Sequence, residues 1–223
     1  MAYGVTVSTS STLAPAQVQA VLELAARAEQ ADGSPPLNEA AILHLRRTRA
    51  TVRHLQATRA GDLVGYAQLQ DEPGASVGQL VVDPRHRRHG IGAALTDELV
   101  ALGQATLQMW AAGSSPAAAG LAHRVGLVKV RELLIMQRPL DGDWLRPAPP
   151  ADVAIRPFRR GEDEQTWLAV NARAFVHHPE QGQITRADLD DRMAEPWFDP
   201  AGFLVAVRGE TMVGFHWTKQ HPG

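Results

Sequence analysis

Residues 80–95 read Leu80-Val81-Val82-Asp83-Pro84-Arg85-His86-Arg87-Arg88-His89-Gly90-Ile91-Gly92-Ala93-Ala94-Leu95. An apolar triplet meets a proline, then a dense basic loop, then Arg-x-x-Gly-x-Gly, then an Ala/Leu-rich run. The first residues of a helix carry N–H groups outside the helical ladder and the positive end of the helix dipole, so anions bind there. Gly90 and Gly92 lack Cβ atoms, which lets a phosphate approach the backbone. Arg87, Arg88 and His89 can add charge-assisted donors. Leu80-Val81-Val82 is short and β-branched, the pattern of a buried strand, and Pro84 ends it by removing a ladder donor. Together these make a strand–loop–helix corner that fits a pyrophosphate. No Gly-Lys-Ser/Thr follows, so this is not a P-loop. The order R-x-x-G-x-G also departs from the dinucleotide fingerprint G-x-G-x-x-G. The bland alternative is a plain β–turn–helix corner with a basic surface.

The surrounding elements must position that corner. Val18, Val21, Leu22 and Ala25 share one face of a helix over 15–30, opened by Pro15. Ile42 and Leu45 repeat the pattern over 38–47. Residues 51–58 and 63–70 read as strands joined by Arg59-Ala60-Gly61-Asp62, a hairpin loop. Asp71-Glu72-Pro73-Gly74 is a further turn. After the motif come a helix over 91–103, a strand at Leu107-Gln108-Met109-Trp110, a helix from Pro116 to Arg124 and a last strand over 127–138. Residues 4–10 can supply a first strand.

The chain of 223 residues is long enough for one large domain or two small ones, and 44% hydrophobic residues support a core. A net charge of −2 gives no global pull toward nucleic acid or membrane, so the basic loop is a local site. The absence of Cys excludes disulfides, thiolate metal sites and a Cys nucleophile. No signal peptide is read in residues 1–20, and no apolar run approaches the ~20 residues that span a bilayer. The expectation is a soluble cytoplasmic protein with no membrane partner, no nucleic-acid partner and no metal. His177-His178 has no partner at metal-ligand spacing.

Residues 139–152 break the pattern, with Pro139, Pro147, Pro149 and Pro150 crowding a linker. The chain then starts again: a strand at 153–158, helices over 162–175 and 185–195, and strands at about 203–208 and 211–218. Residues 57–66 align with residues 206–215, an offset of 149 that places Val64 on Val213 and Gly65 on Gly214. A long-period repeat of this kind reads as a duplicated domain. The expected division is a first module over 1–138, the linker, and an incomplete second module over 153–223. At the same offset the phosphate cradle would recur at about 229–242, beyond Gly223, leaving an open strand edge near 203–218.

The stretch Leu80–Gly92 resembles motif A of the GNAT acetyltransferases, Q/R-x-x-G-x-G/A. The resemblance implies an α/β (α+β) fold, a mixed central sheet flanked by helices, followed here by a partial second module. It implies acetyl-CoA as co-substrate, with Leu80, Val81 and Val82 along the pantetheine arm. Arg88, His89, Gly90, Ile91, Gly92 and Ala93 would then contact the pyrophosphate.

Two further stretches are more specific: Ala174-Phe175-Val176-His177-His178-Pro179-Glu180-Gln181-Gly182, and Trp197-Phe198-Asp199-Pro200 followed by Gly214-Phe215-His216-Trp217-Thr218-Lys219. With motif A they resemble the mycothiol synthase family, tandem GNAT enzymes that acetylate the cysteinyl amine of Cys-GlcN-Ins. That resemblance implies Glu39, Glu180 and Lys219 as substrate contacts. A cationic amine and sugar hydroxyls suit carboxylate acceptors and a Lys donor. Glu39 would also be favourable simply as an acidic residue opening a helix.

Direct transfer needs a base for the amine, donors for the oxyanion and usually an acid for the leaving thiolate. The position where GNAT enzymes often place a Tyr acid, four residues before the Gly of Gly126-Leu127, holds Ala122. No catalytic residue is assigned, and the family implies a monomer when full length. Three readings stand: transfer to Cys-GlcN-Ins, reduced here by a short second module; a GNAT acting on another small amine; and a non-catalytic acetyl-CoA-binding module.

Overall fold

The computed structural model describes residues 4–47, 49–139, 141–142, 148–178 and 181–220. They divide into two compact units, Met1–Ile135 and Met136–Gly223.

The first unit holds a five-stranded sheet in the order β1 (Val5–Ser10), β2 (Val52–Arg59), β3 (Asp62–Glu72), β4 (Ala75–Val82), β5 (Leu107–Met109). Neighbours are antiparallel except β4 and β5, which run parallel. Helices α1 (Pro15–Asp32) and α2 (Glu39–Arg46) cover one face. Val21, Leu24, Leu37, Leu45, Tyr66 and Val81 form the core there. Helix α3 (Ile91–Leu102) covers the other, its Ile91, Leu95 and Leu99 buried at i, i+4 and i+8 against Leu55, Ala57, Val64 and Ala67. Helix α4 (Pro116–Arg124) packs on α3, where Arg124 pairs with Asp97.

Between the sheet and α1–α2 runs a buried polar line. His54 Nδ1 lies 2.7 Å from the Tyr66 hydroxyl, and Gln68 Nε2 donates to that hydroxyl at 3.0 Å and to Ala41 O at 3.1 Å. The Tyr66 hydroxyl accepts from Gln68 and shares one hydrogen bond with His54 Nδ1, whose donor depends on the imidazole tautomer. Burial first, and His44 second, push the His54 imidazole down to about 4. Burial holds the Tyr66 phenol well above its usual range. Both rings are neutral at pH 7.

The last expected strand is not formed. Residues 127–139 run without a ladder partner, and Val128, Val130, Leu134 and Ile135 stand exposed. Their alternation suits a strand, but a strand exists only where a neighbour accepts its hydrogen bonds, and β5 is three residues long.

The second unit has a three-stranded sheet, β6 (Ala154–Pro157), β7 (Phe203–Arg208), β8 (Thr211–Trp217), antiparallel throughout with β8 at one edge. Helices α5 (Glu164–Ala174) and α6 (Arg186–Met193) share one core with it. Trp167 is fully buried there, edge-on to Phe203 at 5.5 Å. Ala174 of α5 is exposed, and the polar Asn171 is buried.

The repeat read from the sequence is visible in backbone detail. The β2–β3 pairing slips between Ala57 and Thr58, and the β7–β8 pairing slips between Ala206 and Val207, the same places under the 149-residue offset.

Candidate cofactor site

Strands β4 and β5 part company after Gly78. Ser76 N donates to Thr106 O and Gly78 O accepts from Trp110 N; no pairing between them continues further. Asp83 N donates to Val64 O, so alternate residues Asp83, Val81 and Gln79 turn their polar groups toward β3. Leu80 and Val82 therefore turn theirs into the opened gap. A strand edge left unpaired in this way can take an amide-bearing chain in the manner of an added strand.

The gap leads to the mouth of α3. Gly90 caps the helix at φ 81°, ψ 0°, a left-handed conformation that favours glycine. The helical ladder starts with Ala94 N to Gly90 O, which leaves the amides of Ile91, Gly92 and Ala93 outside it. Gly92 is glycine for a second reason besides phosphate approach. A Cβ there would stand 3.2 Å from Leu121 Cδ1 of α4 and 3.7 Å from Val82 Cγ2 of β4. The mouth is thus lined by bare backbone, and the residues present fit a diphosphate.

The basic loop is less free than its composition suggests. Asp83 is buried and accepts from Arg85 N, from the Arg85 guanidinium and from the Arg27 guanidinium of α1. Chiefly through Arg85, these bonds hold its carboxyl well below the usual carboxylate range. Arg87 makes a bidentate pair with Asp32 at 2.7 Å in each arm, and its Nε donates to Val82 O at 3.2 Å. Arg87, read from the sequence as a phosphate donor, therefore serves a carboxylate. Arg88, at φ 67°, and His89 are exposed. Since the Arg87 carbonyl can only accept, His89 Nδ1 donates to it at 2.7 Å, leaving Nε2 without the proton in the neutral ring. Asp83, Arg27 and Asp32 were not legible as partners of this loop; the only local signal was an Asp before Pro, the position of a cap.

A cleft of about 610 Å³ lies on the α1 side of the loop, lined by Glu23, Arg27, Asp62, Arg85 and His86 among others. Its arginines already bind Asp83, and it adjoins β3 rather than the β4–β5 gap.

Glu39 is half-buried at the start of α2, where its neighbour Asn38 caps the helix through Ala41 N, and Asn38 N donates to Gln79 Oε1 of β4 at 2.8 Å. Glu180 lies outside the described residues. Lys219 belongs to the second unit, its Nζ 4.4 Å from the centre of the Trp197 ring, a cation–π contact. Sequence reasoning missed Asn171, which donates to Gln181 O at 2.6 Å and accepts from Gln181 Nε2 at 3.0 Å, tying down the chain just after position 180. Ala122 lies in α4 and offers no proton donor besides its backbone. Among the described residues no cluster of side chains could hold a metal, and no helix is long and apolar enough to cross a membrane.

Residues 18–127 match the model of the acetyltransferase (GNAT) family. The chain is 50% identical over 219 residues to a mycothiol acetyltransferase of Streptomyces scabiei, covering 96% of this chain and 71% of that protein. It is 49% identical to the protein of the same name from Streptomyces avermitilis, over 98% of this chain and 72% of the relative. Among solved structures, a tandem GNAT protein from the clavulanic acid biosynthesis pathway superposes with a TM-score of 0.61 at 19% identity, over 95% of this chain and 73% of that one, a likeness of fold. By these relatives and the matching family model, the chain belongs to the mycothiol acetyltransferase family of GNAT enzymes.

Proposed function

We propose that the first unit binds acetyl-CoA and that the chain serves acetyl transfer to the cysteinyl amine of Cys-GlcN-Ins, the last step in making mycothiol. The observation that carries the cofactor reading is that the gap-facing backbone groups of Leu80 and the Val82 N–H, the Val82 carbonyl accepting from Arg87, lead along the chain to the amides of Ile91, Gly92 and Ala93. The pantetheine amides pair with the first group and the diphosphate sits on the second, with Arg88 and His89 at its rim. When bound, acetyl-CoA supplies the activated acyl group.

The substrate reading rests on the relatives named above. By the family resemblance, Glu39, Glu180 and Lys219 are the residues proposed to contact the acceptor. No side chain is assigned as acid in the first unit, where Ala122 holds the place of a Tyr. The first unit therefore acts as a cofactor-binding partner rather than a centre of turnover. The proposed modules are 1–138 and 153–223, joined by the Pro-rich linker 139–152.

Titration calorimetry with acetyl-CoA tests the cofactor reading. One equivalent binds the unsubstituted chain, and Gly92→Leu, which thrusts a side chain between Val82, Leu121 and the helix mouth, abolishes binding. Equal affinity in both proteins overturns the assignment. Lys219→Met leaves acetyl-CoA affinity unchanged and weakens binding of Cys-GlcN-Ins; an unaltered acceptor affinity removes Lys219 from the site.

A further inference from the structure

Residues 197–202 grip the end of β8 from two sides. On the first side the grip is through the backbone. Asp199 Oδ1 accepts from Ala201 N at 2.9 Å and the Asp199 carbonyl accepts from Gly202 N at 3.0 Å, which folds the segment into a tight turn. The Gly202 carbonyl then accepts twice from Thr218, from its N–H at 2.8 Å and from its hydroxyl at 2.7 Å. A Cβ at Gly202 would stand 2.7 Å from that hydroxyl oxygen, so a larger residue there would push Thr218 away. The chain is thus fixed one residue before Lys219.

On the second side a line of rings runs outward from the core. Phe158 and Phe203 stack with centroids 4.3 Å apart, and Phe203 and Trp217, register partners on β7 and β8, stack at 4.2 Å. Trp197 leans on Trp217 at 6.0 Å, and Phe198 meets the same indole edge-on at 5.9 Å. The line ends on a cation, the Lys219 ammonium 4.4 Å from the centre of the Trp197 ring. Trp197 is half-buried and Lys219 exposed. A lysine carries its charge on a flexible four-carbon stem, and an exposed one ordinarily spreads over many rotamers. A ring face attracts the ammonium without cancelling its charge, as a carboxylate would, and Trp does so more strongly than Tyr or Phe.

We propose that Trp197 is a positioning residue for acceptor recognition: its indole face fixes the Lys219 ammonium at one point beside the end of β8, where a hydroxyl-rich acceptor meets it. The inference rests on the reading of Lys219 as an acceptor contact. Trp197 acts through the lysine, by removing in advance the side-chain freedom that Lys219 would otherwise lose on binding. Its effect is therefore present only while Lys219 is present.

The chain has two lysines, Lys129 and Lys219, so isotopic labelling of the lysine ε-carbon gives two ε-methylene signals in the nuclear magnetic resonance spectrum. Lys129, paired with Glu132, is the reference. The ring current of Trp197 displaces the Lys219 ε-protons upfield of it, and Trp197→Leu returns them. Coincident signals in the unsubstituted chain overturn the inference without any variant having to fold. Calorimetry with Cys-GlcN-Ins is the second readout. Trp197→Leu weakens binding by about threefold to fivefold, and Trp197→Tyr, which keeps a ring face, restores most of the loss. In the Lys219→Met background Trp197→Leu weakens binding no further. A loss that persists in full in that background overturns the inference, because the ring then acts on the acceptor or the fold and not through the lysine. Unchanged affinity in Trp197→Leu beside weakened affinity in Lys219→Met overturns it and spares Lys219. An upfield Lys219 signal with unchanged affinity in Lys219→Met removes the reading of Lys219, and the inference with it, while the ring contact stands.

Discussion

Gly65→Ala is a small change with a traceable cost. The added methyl would lie 2.9 Å from Ile91 Cγ2, 3.0 Å from Leu95 Cδ1 and 3.4 Å from Ala57 Cβ. Carbon contacts settle near 3.5–4.0 Å, so α3 must retreat by about half an ångström or more. Overpacking of this kind costs about 1–3 kcal/mol. The reduced freedom of the unfolded chain returns about 0.5–1 kcal/mol. The net loss is about 1–2 kcal/mol, or a fall in the melting temperature of the first unit of about 3–10 °C. Ile91 is also the first residue of α3, so its amide moves with the helix. Acetyl-CoA affinity then falls by about tenfold, equivalent to about 1.4 kcal/mol. Differential scanning calorimetry and titration calorimetry read the two effects. Gly214→Ala is the internal control: a Cβ there would meet only Ala206 Cβ, at 4.0 Å, and the variant melts at or slightly above the unsubstituted temperature. A Gly65→Ala protein that melts and binds like its parent would refute the claim that this glycine is where the sheet receives the cradle helix.

Three further outcomes follow from named contacts. The His54 imidazole is held down to about 4, against 6.5 unperturbed. The unfolded chain therefore binds the extra proton first, and stability falls as pH drops from about 6.5 toward 4, by about 2 kcal/mol at pH 5. The lowered carboxyls of Asp32, Asp83 and Asp163 lose their contributions only as pH falls through and below the ordinary carboxylate range. Urea unfolding at pH 7 and pH 5 shows the slope, and a His54→Gln protein with the same slope contradicts it. Asp32→Asn releases Arg87 from its carboxylate and adds one net positive charge beside the cradle. Acetyl-CoA binds on the order of fivefold tighter at low salt, and the gain shrinks at high salt; weaker binding by calorimetry would show instead that the pair shapes the loop. Asn171→Leu strands the Gln181 carbonyl and amide and costs the second unit about 2 kcal/mol. Its thermal transition drops while that of the first unit stays; an unshifted transition removes Asn171 as the anchor of that segment.

Much of the architecture was legible because its signals are local. Helical spacing located α1, α2, α3 and α5 to within a few residues, Asn38 and Pro116 marked helix starts, and the Ala60-Gly61 and Gly209-Glu210 turns fixed both hairpins. The repeat was legible because duplicated sequence keeps its own register, down to the bulge. Motif A was legible for a related reason: glycine at 90 answers a backbone demand, a positive φ at a helix cap, that few other residues meet.

Partnership was decided only by the fold. Arg87 looks like a phosphate ligand in a basic run, yet Asp32, more than fifty positions away in the chain, holds it, as Asp83 holds Arg85. Charge identity is a property of the residue, while charge pairing depends on which distant residues the packing of α1 brings near. Residues 127–138 alternate like a strand but form none, because a strand is defined by its neighbour's hydrogen bonds. Gly65 and Gly214 are the same residue in the same repeat. One is a filled notch and the other an open one, a difference set by whether a helix packs on that face of the sheet.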